Sequence, residues 1–221
     1  MIVIIGSPTA RSVDGVLQAA GTASRVALAA ASGGRSVQLV GKTGDDATAD
    51  AIVLDLARGG VGHVALLRDP ANPTPVEAGP SDDLAAATED VDGAREADAR
   101  DAALVAIPAL EAADVDLGLR YLTDYRVVVL ADPSTADVVA VAADAARWGE
   151  ARLIVVVASG RPAPDGLPGD AVVLEAPDAD PDGAFANLVG AFAVALDAGD
   201  EPETAFRASL ASDGWSGAES G

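Results

Sequence analysis

His63 is the single histidine among 221 residues and cysteine is absent, so a Ser-His-Asp relay has one conceivable anchor and thiolate chemistry has none. It follows Val61-Gly62 at the entry to an apolar run, where a structural or exposed imidazole is the simpler reading. Gly41-Lys42-Thr43 follows a strand-like run, as a phosphate-binding loop would, but the spacing fails. Such a loop needs a glycine five positions earlier, where Ser36 stands, and the residues between are the strand itself. Lys42 is expected in an exposed turn. Asp45-Asp46, Asp82-Asp83 and Glu89-Asp90 are carboxylate pairs of the kind that hold divalent cations, yet 35 acidic residues against 14 basic ones produce such pairs by chance. They read as solvated surface, and no metal site is expected.

The elements that must position any site alternate along the chain. Residues 2–5 form a β-branched apolar run closed by Gly6, which predicts a buried strand. The alanine-rich residues 16–31 predict a helix ended by Gly33-Gly34, and residues 36–40 a second strand. A polar turn over 41–46, a helix over 47–58 and a third strand over 64–67 follow, the last stopped by Pro70, Pro73 and Pro75. Residues 77–101 are acidic and interrupted by Pro80 and Gly93, and are expected to form an insert or mobile edge. Apolar runs at 103–107 and 126–131 flank helical spacing over 111–125. A helix over 136–148, strands over 152–158 and 171–174, a small-residue helix over 183–196 and a last helix over 201–212 complete the order. This alternation predicts an α/β protein, a three-layer α/β/α sandwich around a mainly parallel sheet, with one domain over 1–213 and a flexible tail over 214–221.

Composition narrows the partners. Half of the residues are hydrophobic and only 3% aromatic, so the core must be built from many small side chains. A net charge of −21 repels polyanions and argues against nucleic acid as a partner. Lys42 is the sole lysine beside abundant Asp, Glu and Arg, a composition similar to that of salt-accumulating archaea, whose concentrated cytosol screens self-repulsion. Neither a signal-peptide core nor an apolar run of membrane-spanning length is present, so no membrane partner and a cytoplasmic location are expected.

Three blocks in order resemble the ribokinase-like (PfkB) carbohydrate kinases. The first is Gly41-Lys42-Thr43-Gly44-Asp45-Asp46 with Gly60-Val61 and Asn72-Pro73-Thr74; the second is Leu130-Ala131-Asp132-Pro133. The third is Asp180-Pro181-Asp182-Gly183-Ala184-Phe185-Ala186 with Val189-Gly190-Ala191-Phe192 and Gly199, against the family's Asp-Thr-Thr-Gly-Ala-Gly-Asp. The resemblance implies a helix whose first amides, at Gly183, Ala184 and Phe185, form an anion hole for the transferring phosphoryl group. It places the base, the family's last Asp, at Ala186, which cannot accept a proton. Asp180 and Asp182 are neighbouring acids that could substitute, Asp182 being the favoured one. On the sugar side, the family's Asp corresponds to Arg11, or to Asp14 after a local shift. The family's Gly-Gly-x-x-x-Asn compares with Ala20-Gly21-Thr22-Ala23-Ser24-Arg25, so its Asn becomes Arg25. Residues 7–20 leave too little chain for the family's β-strand lid, and an Asn-x-x-Glu motif is missing from 136–148. The resemblance thus implies a shortened, degenerate, lid-less member. Such a member is a pseudokinase that binds a nucleotide (ATP or ADP with Mg²⁺) or a small anionic, phosphorylated metabolite, or that acts in assembly. An active ATP-dependent carbohydrate or nucleoside kinase with a substitute base, and a ligand-free structural subunit or homo-oligomer, are the alternatives.

Overall fold

The computed structural model describes residues 1–77 and 108–212. The expected insert at 77–101, apart from Glu77, the strand at 103–107, the pairs Asp82-Asp83 and Glu89-Asp90, and the tail lie outside the described residues.

An uninterrupted apolar run can be stable only if both faces of its strand are covered. β1 (Ile2–Ile5) is wholly buried, with Ile2 and Ile4 turned to one apolar cluster and Val3 and Ile5 to the other. β7 (Val127–Leu130) and β8 (Arg152–Val157) alternate in the same way. Together with β4 (Val37–Gly44), β5 (Val61–Asp69) and β9 (Val172–Glu175) they form a six-stranded sheet in the order β5-β4-β1-β7-β8-β9, every pair parallel. One cluster is closed by α1 (Gly21–Ser32), α2 (Ala47–Arg58), α5 (Ala184–Ala198) and α6 (Pro202–Ser212). The other is closed by α3 (Ala112–Arg120) and α4 (Ala136–Trp148). This is the expected three-layer α/β/α sandwich. Phe192 of α5 and Phe206 of α6 meet edge to face at 5.7 Å, one of the few aromatic contacts a chain so poor in rings can make.

The expectation of a lid-less protein is corrected. A second, three-stranded sheet of β3 (Val16–Ala20), β2 (Thr9–Val13) and β6 (Val76–Glu77) stands beside the sandwich, with β2 antiparallel to β3 and parallel to β6. The helix expected over 16–31 therefore begins at Gly21, and its first five residues are strand. The cause is Asp14-Gly15, whose φ angles of 51° and 77° turn the chain sharply enough to pair Val13 with Val16. Two five-residue strands then fit where no lid was expected.

The polar turn expected at 41–46 is also corrected: residues 41–44 continue β4, and Lys42 is half-buried with Nζ 2.9 Å from Asp114 on α3. Its glycines are there for close approach. A Cβ at Gly41 would stand 2.3 Å from the Gly6 carbonyl oxygen, and one at Gly44 would stand 2.5 Å from the Thr74 nitrogen.

Candidate functional site

In this sheet β1, β4 and β5 run outward on one side and β7, β8 and β9 on the other, so the strand order reverses between β1 and β7. Open α/β sheets place ligands beyond the strand C-termini at such a reversal. Asp132 follows β7 there and accepts a hydrogen bond from the Ser7 amide, just beyond β1, at 2.9 Å. Its Oδ2 is turned inward against Gly6, where a Cβ would come within 2.5 Å of it. Loss of solvent pushes the Asp132 carboxyl up to about 6, and the Ser7 hydrogen bond offsets only part of that rise.

The start of α5 is built by Asp180. Its Oδ1 accepts from the Phe185 amide and its Oδ2 from the Ala186 amide, both at 3.1 Å, while its carbonyl accepts from the Gly183 amide at 3.2 Å. Asn187 has already entered the helical ladder by donating to the Gly183 carbonyl. A carboxylate thus occupies first-turn amides that would otherwise face an anion. Ala186 is fully buried in the apolar cluster with Val189 and Phe192, and its methyl does not reach the cleft. Phe185 is half-buried and packs against the same cluster.

The small sheet is tied to this region through Arg25. Its Nη1 donates to the Asp180 carbonyl at 2.6 Å and its Nη2 lies 3.4 Å from Glu77 of β6, whose other oxygen accepts from Thr9 of β2. Arg11, Arg25, Asp182 and Gly183 border one cavity of about 250 Å³. Gly21, Arg25 and Phe185 border a second of about 360 Å³. Glu175, Asp182, Ala184 and Phe185 border a third of about 460 Å³. The Arg11 Nε is buried without a hydrogen-bond partner among the described residues. Asp182 is exposed at the cavity rims, whereas Asp14 sits in the exposed turn between β2 and β3. Glu77 and Thr9 are participants that sequence reasoning gave no role, and Asp180, read there as a possible substitute base, instead caps the helix with its carboxylate. Glu77 opens an acidic stretch and looks like surface. Asp180, ahead of a glycine and a small-residue helix, carries a capping signal that was legible.

The first sequence block has a structural use. Asp46 accepts from the Ala49 amide, the Thr74 amide and the Thr74 hydroxyl, each at 2.8 Å, and the Gly44 amide donates to the Thr74 hydroxyl at 3.0 Å. Burial works against its charge, but these bonds hold the Asp46 carboxyl below the usual range. The pair Asp45-Asp46 is therefore not simply solvated surface: Asp46 fastens the start of α2 to the segment entering β6. His63 lies on β5, its Nδ1 buried and unpartnered among the described residues. Among the described residues no group of three or more His, Asp or Glu side chains is placed to hold a metal ion.

No protein-family model matches the chain, and no curated protein matches it. Solved structures do. Arabidopsis thaliana ribokinase complexed with ribose and ATP is similar at 14% identity and a TM-score of 0.58, over 96% of this chain and 90% of that one. Phosphofructokinase-2 from Escherichia coli in complex with fructose-6-phosphate is similar at 15% identity and a TM-score of 0.61, over 96% and 92%. At these identities the likeness is one of fold, and the fold is ribokinase-like.

Proposed function

We propose that this chain is a degenerate relative of the ribokinase-like kinases that binds a nucleotide or a small phosphorylated metabolite and transfers no phosphoryl group. One observation carries the reading. At the start of α5 the position of the base is a core-buried methyl, Ala186, and the amides of Phe185 and Ala186 already hold the Asp180 carboxylate.

The consequences are additive in kind, if not in magnitude. A positioned base contributes about 10²–10⁴ in rate, and one oxyanion donor about 10²–10³. Both contributions are compromised here. Binding is a separate matter, because the cavities around Arg25 persist. A phosphate or carboxylate oxygen would satisfy the desolvated Arg11 Nε, while Arg25 is already shared between Glu77 and the Asp180 carbonyl. A magnesium nucleotide suits the 460 Å³ cavity better, since Glu175 and Asp182 would supply the one or two carboxylates that Mg²⁺ takes beside phosphate oxygens.

Calorimetric titration with ATP, ADP, AMP and sugar phosphates, each with and without Mg²⁺, should show binding of at least one of them, weakened in Arg11→Gln if it is an anionic metabolite in the smaller cavity and in Asp182→Asn if it is a magnesium nucleotide in the larger one. A coupled turnover assay over sugars and nucleosides with Mg²⁺ and ATP should stay at background. Turnover that disappears in Asp182→Asn would overturn the reading in favour of an active kinase with a substitute base. Absence of any binding, with light scattering that reports a defined oligomer, would leave a structural subunit.

A further inference from the structure

A fourth cavity, of about 410 Å³, lies at the C-terminal ends of β7 and β8 and shares no lining residue with the three around Asp180 and Arg25. Its floor is Leu130 and residues 155–157, its side is Val139 of α4, and its rim carries Pro133, Pro162 and Pro164. Prolines bring apolar surface and no N–H, so these walls offer a ligand contact area and few donors.

The polar groups nearby are largely spoken for. The Ser134 hydroxyl donates to the Asp132 carbonyl, the Arg161 amide donates to the Ala158 carbonyl, and the Ala176 amide donates to the Val157 carbonyl. The exception is the Arg161 side chain, which borders the cavity and has no carboxylate partner among the described residues. Arg68, Arg120, Arg147 and Arg152 each have an aspartate, whereas Arg161, like Arg11, Arg58, Arg126 and Arg207, has none among the described residues, and of these five it alone borders this cavity. The loop bearing Arg161 is fastened independently of any ligand. Arg147 of α4 donates to the Gly166 carbonyl, and Arg152 pairs with Asp170 at 2.8 Å. The cavity is therefore preformed.

From apolar walls with one guanidinium at the rim, the geometry points to a second, independent ligand site, for a flat apolar ring system carrying a single acidic group. The ring covers Val139, Val155 and Val157, and the acid pairs with Arg161 in a bidentate contact. This inference does not rest on the nucleotide or sugar-phosphate reading, since the residues are disjoint.

Anilinonaphthalene sulfonate combines a flat apolar body with one anionic group, and its fluorescence rises in apolar surroundings. Titration of the native protein should reveal one saturable equivalent. Arg161→Gln, at an exposed position, should weaken it about tenfold or more. Arg207→Gln, which removes an exposed charge elsewhere, should leave it unchanged, as should Arg11→Gln and Asp182→Asn. Ala158→Leu should reduce binding by filling the cavity, with circular dichroism confirming the fold. Absence of binding, several weak equivalents, or equal affinity in Arg161→Gln and the native chain would overturn the site. Loss of binding in Arg11→Gln with none in Arg161→Gln would do so as well, by placing the probe in the other cleft.

Discussion

Asp132 is a carboxylate held where water cannot reach it well, and its effect on stability has a definite sign. The folded-state value of about 6 lies above the ordinary 3.8, so the folded protein binds this proton more tightly than the unfolded chain does. Near pH 3 both states hold the proton and the group costs nothing. Between about pH 4 and 6 the unfolded state ionises first and stability falls as pH rises. Above that window the cost levels off at no more than about 3 kcal/mol. Asparagine at this position keeps an oxygen to accept from Ser7 and loses the charge. Asp132→Asn should therefore be more stable than the native chain at pH 8, by up to about 3 kcal/mol, and near parity below pH 4. Urea denaturation at the two pH values measures it; a variant less stable at pH 8 would mean that the charge is used by the fold. Ala186 presents the opposite case, a methyl fully buried in the apolar cluster with no group to titrate.

Helices α1 and α5 cross so closely that Gly190 leaves no room for a side chain. A Cβ there would lie 2.6 Å from the Ala29 Cβ, 3.0 Å from the Ala30 nitrogen and 3.1 Å from the Val26 carbonyl oxygen. Alanine is the better helix former by about 1 kcal/mol, but overpacking costs about 1–3 kcal/mol or more. Gly190→Ala should therefore destabilise by roughly 1–2 kcal/mol on balance. Adding Ala29→Gly should recover part of that loss through direct coupling. Equilibrium unfolding of the single and double variants checks this; a stabilised single variant would show that the helices can separate freely. The glycine was visible in sequence and its purpose was not. The same holds for Gly41 and Gly44, which read as a turn because contacts with Gly6 and Thr74 cannot be inferred from local pattern. Apolar runs such as 127–130 and 153–157 were legible because burial on both faces leaves no polar alternation to misread. Strands β2 and β3 were missed: Val16–Ala20 is as alanine-rich as the helix that follows, and only Asp14-Gly15 marked the hairpin. The start of α5 was legible as a glycine ahead of a small-residue helix, whereas the capping of its amides by Asp180 and the linkage through Arg25 to Glu77 depend on a fold that brings positions 25, 77 and 180 together.

The whole chain carries 35 acidic against 14 basic residues, and this imbalance sets how the fold responds to salt. Compaction brings like charges together, so the folded state suffers more self-repulsion than the unfolded one. Salt relieves that, since the screening length falls from about 10 Å at 0.1 M to about 3 Å at 1 M. The opposing effect is small. Exposed pairs such as Arg120 with Asp116, Arg147 with Asp144 and Arg152 with Asp170 weaken in salt, but each is worth only about 0–1 kcal/mol. The pair of Lys42 with Asp114 is only partly exposed and less easily screened. Net repulsion should dominate, and the melting temperature should climb as KCl is added. If screening is the cause, most of the gain arrives by about 1 M, because the screening length is by then shorter than the spacing of most surface charges. NaCl should match KCl at equal ionic strength. A melting temperature that falls with salt would show that ion pairs outweigh repulsion in this fold and would remove the physical basis for reading its composition as an adaptation to a salt-rich cytosol. A rise that continues undiminished beyond 1 M would assign the effect to stronger apolar burial instead.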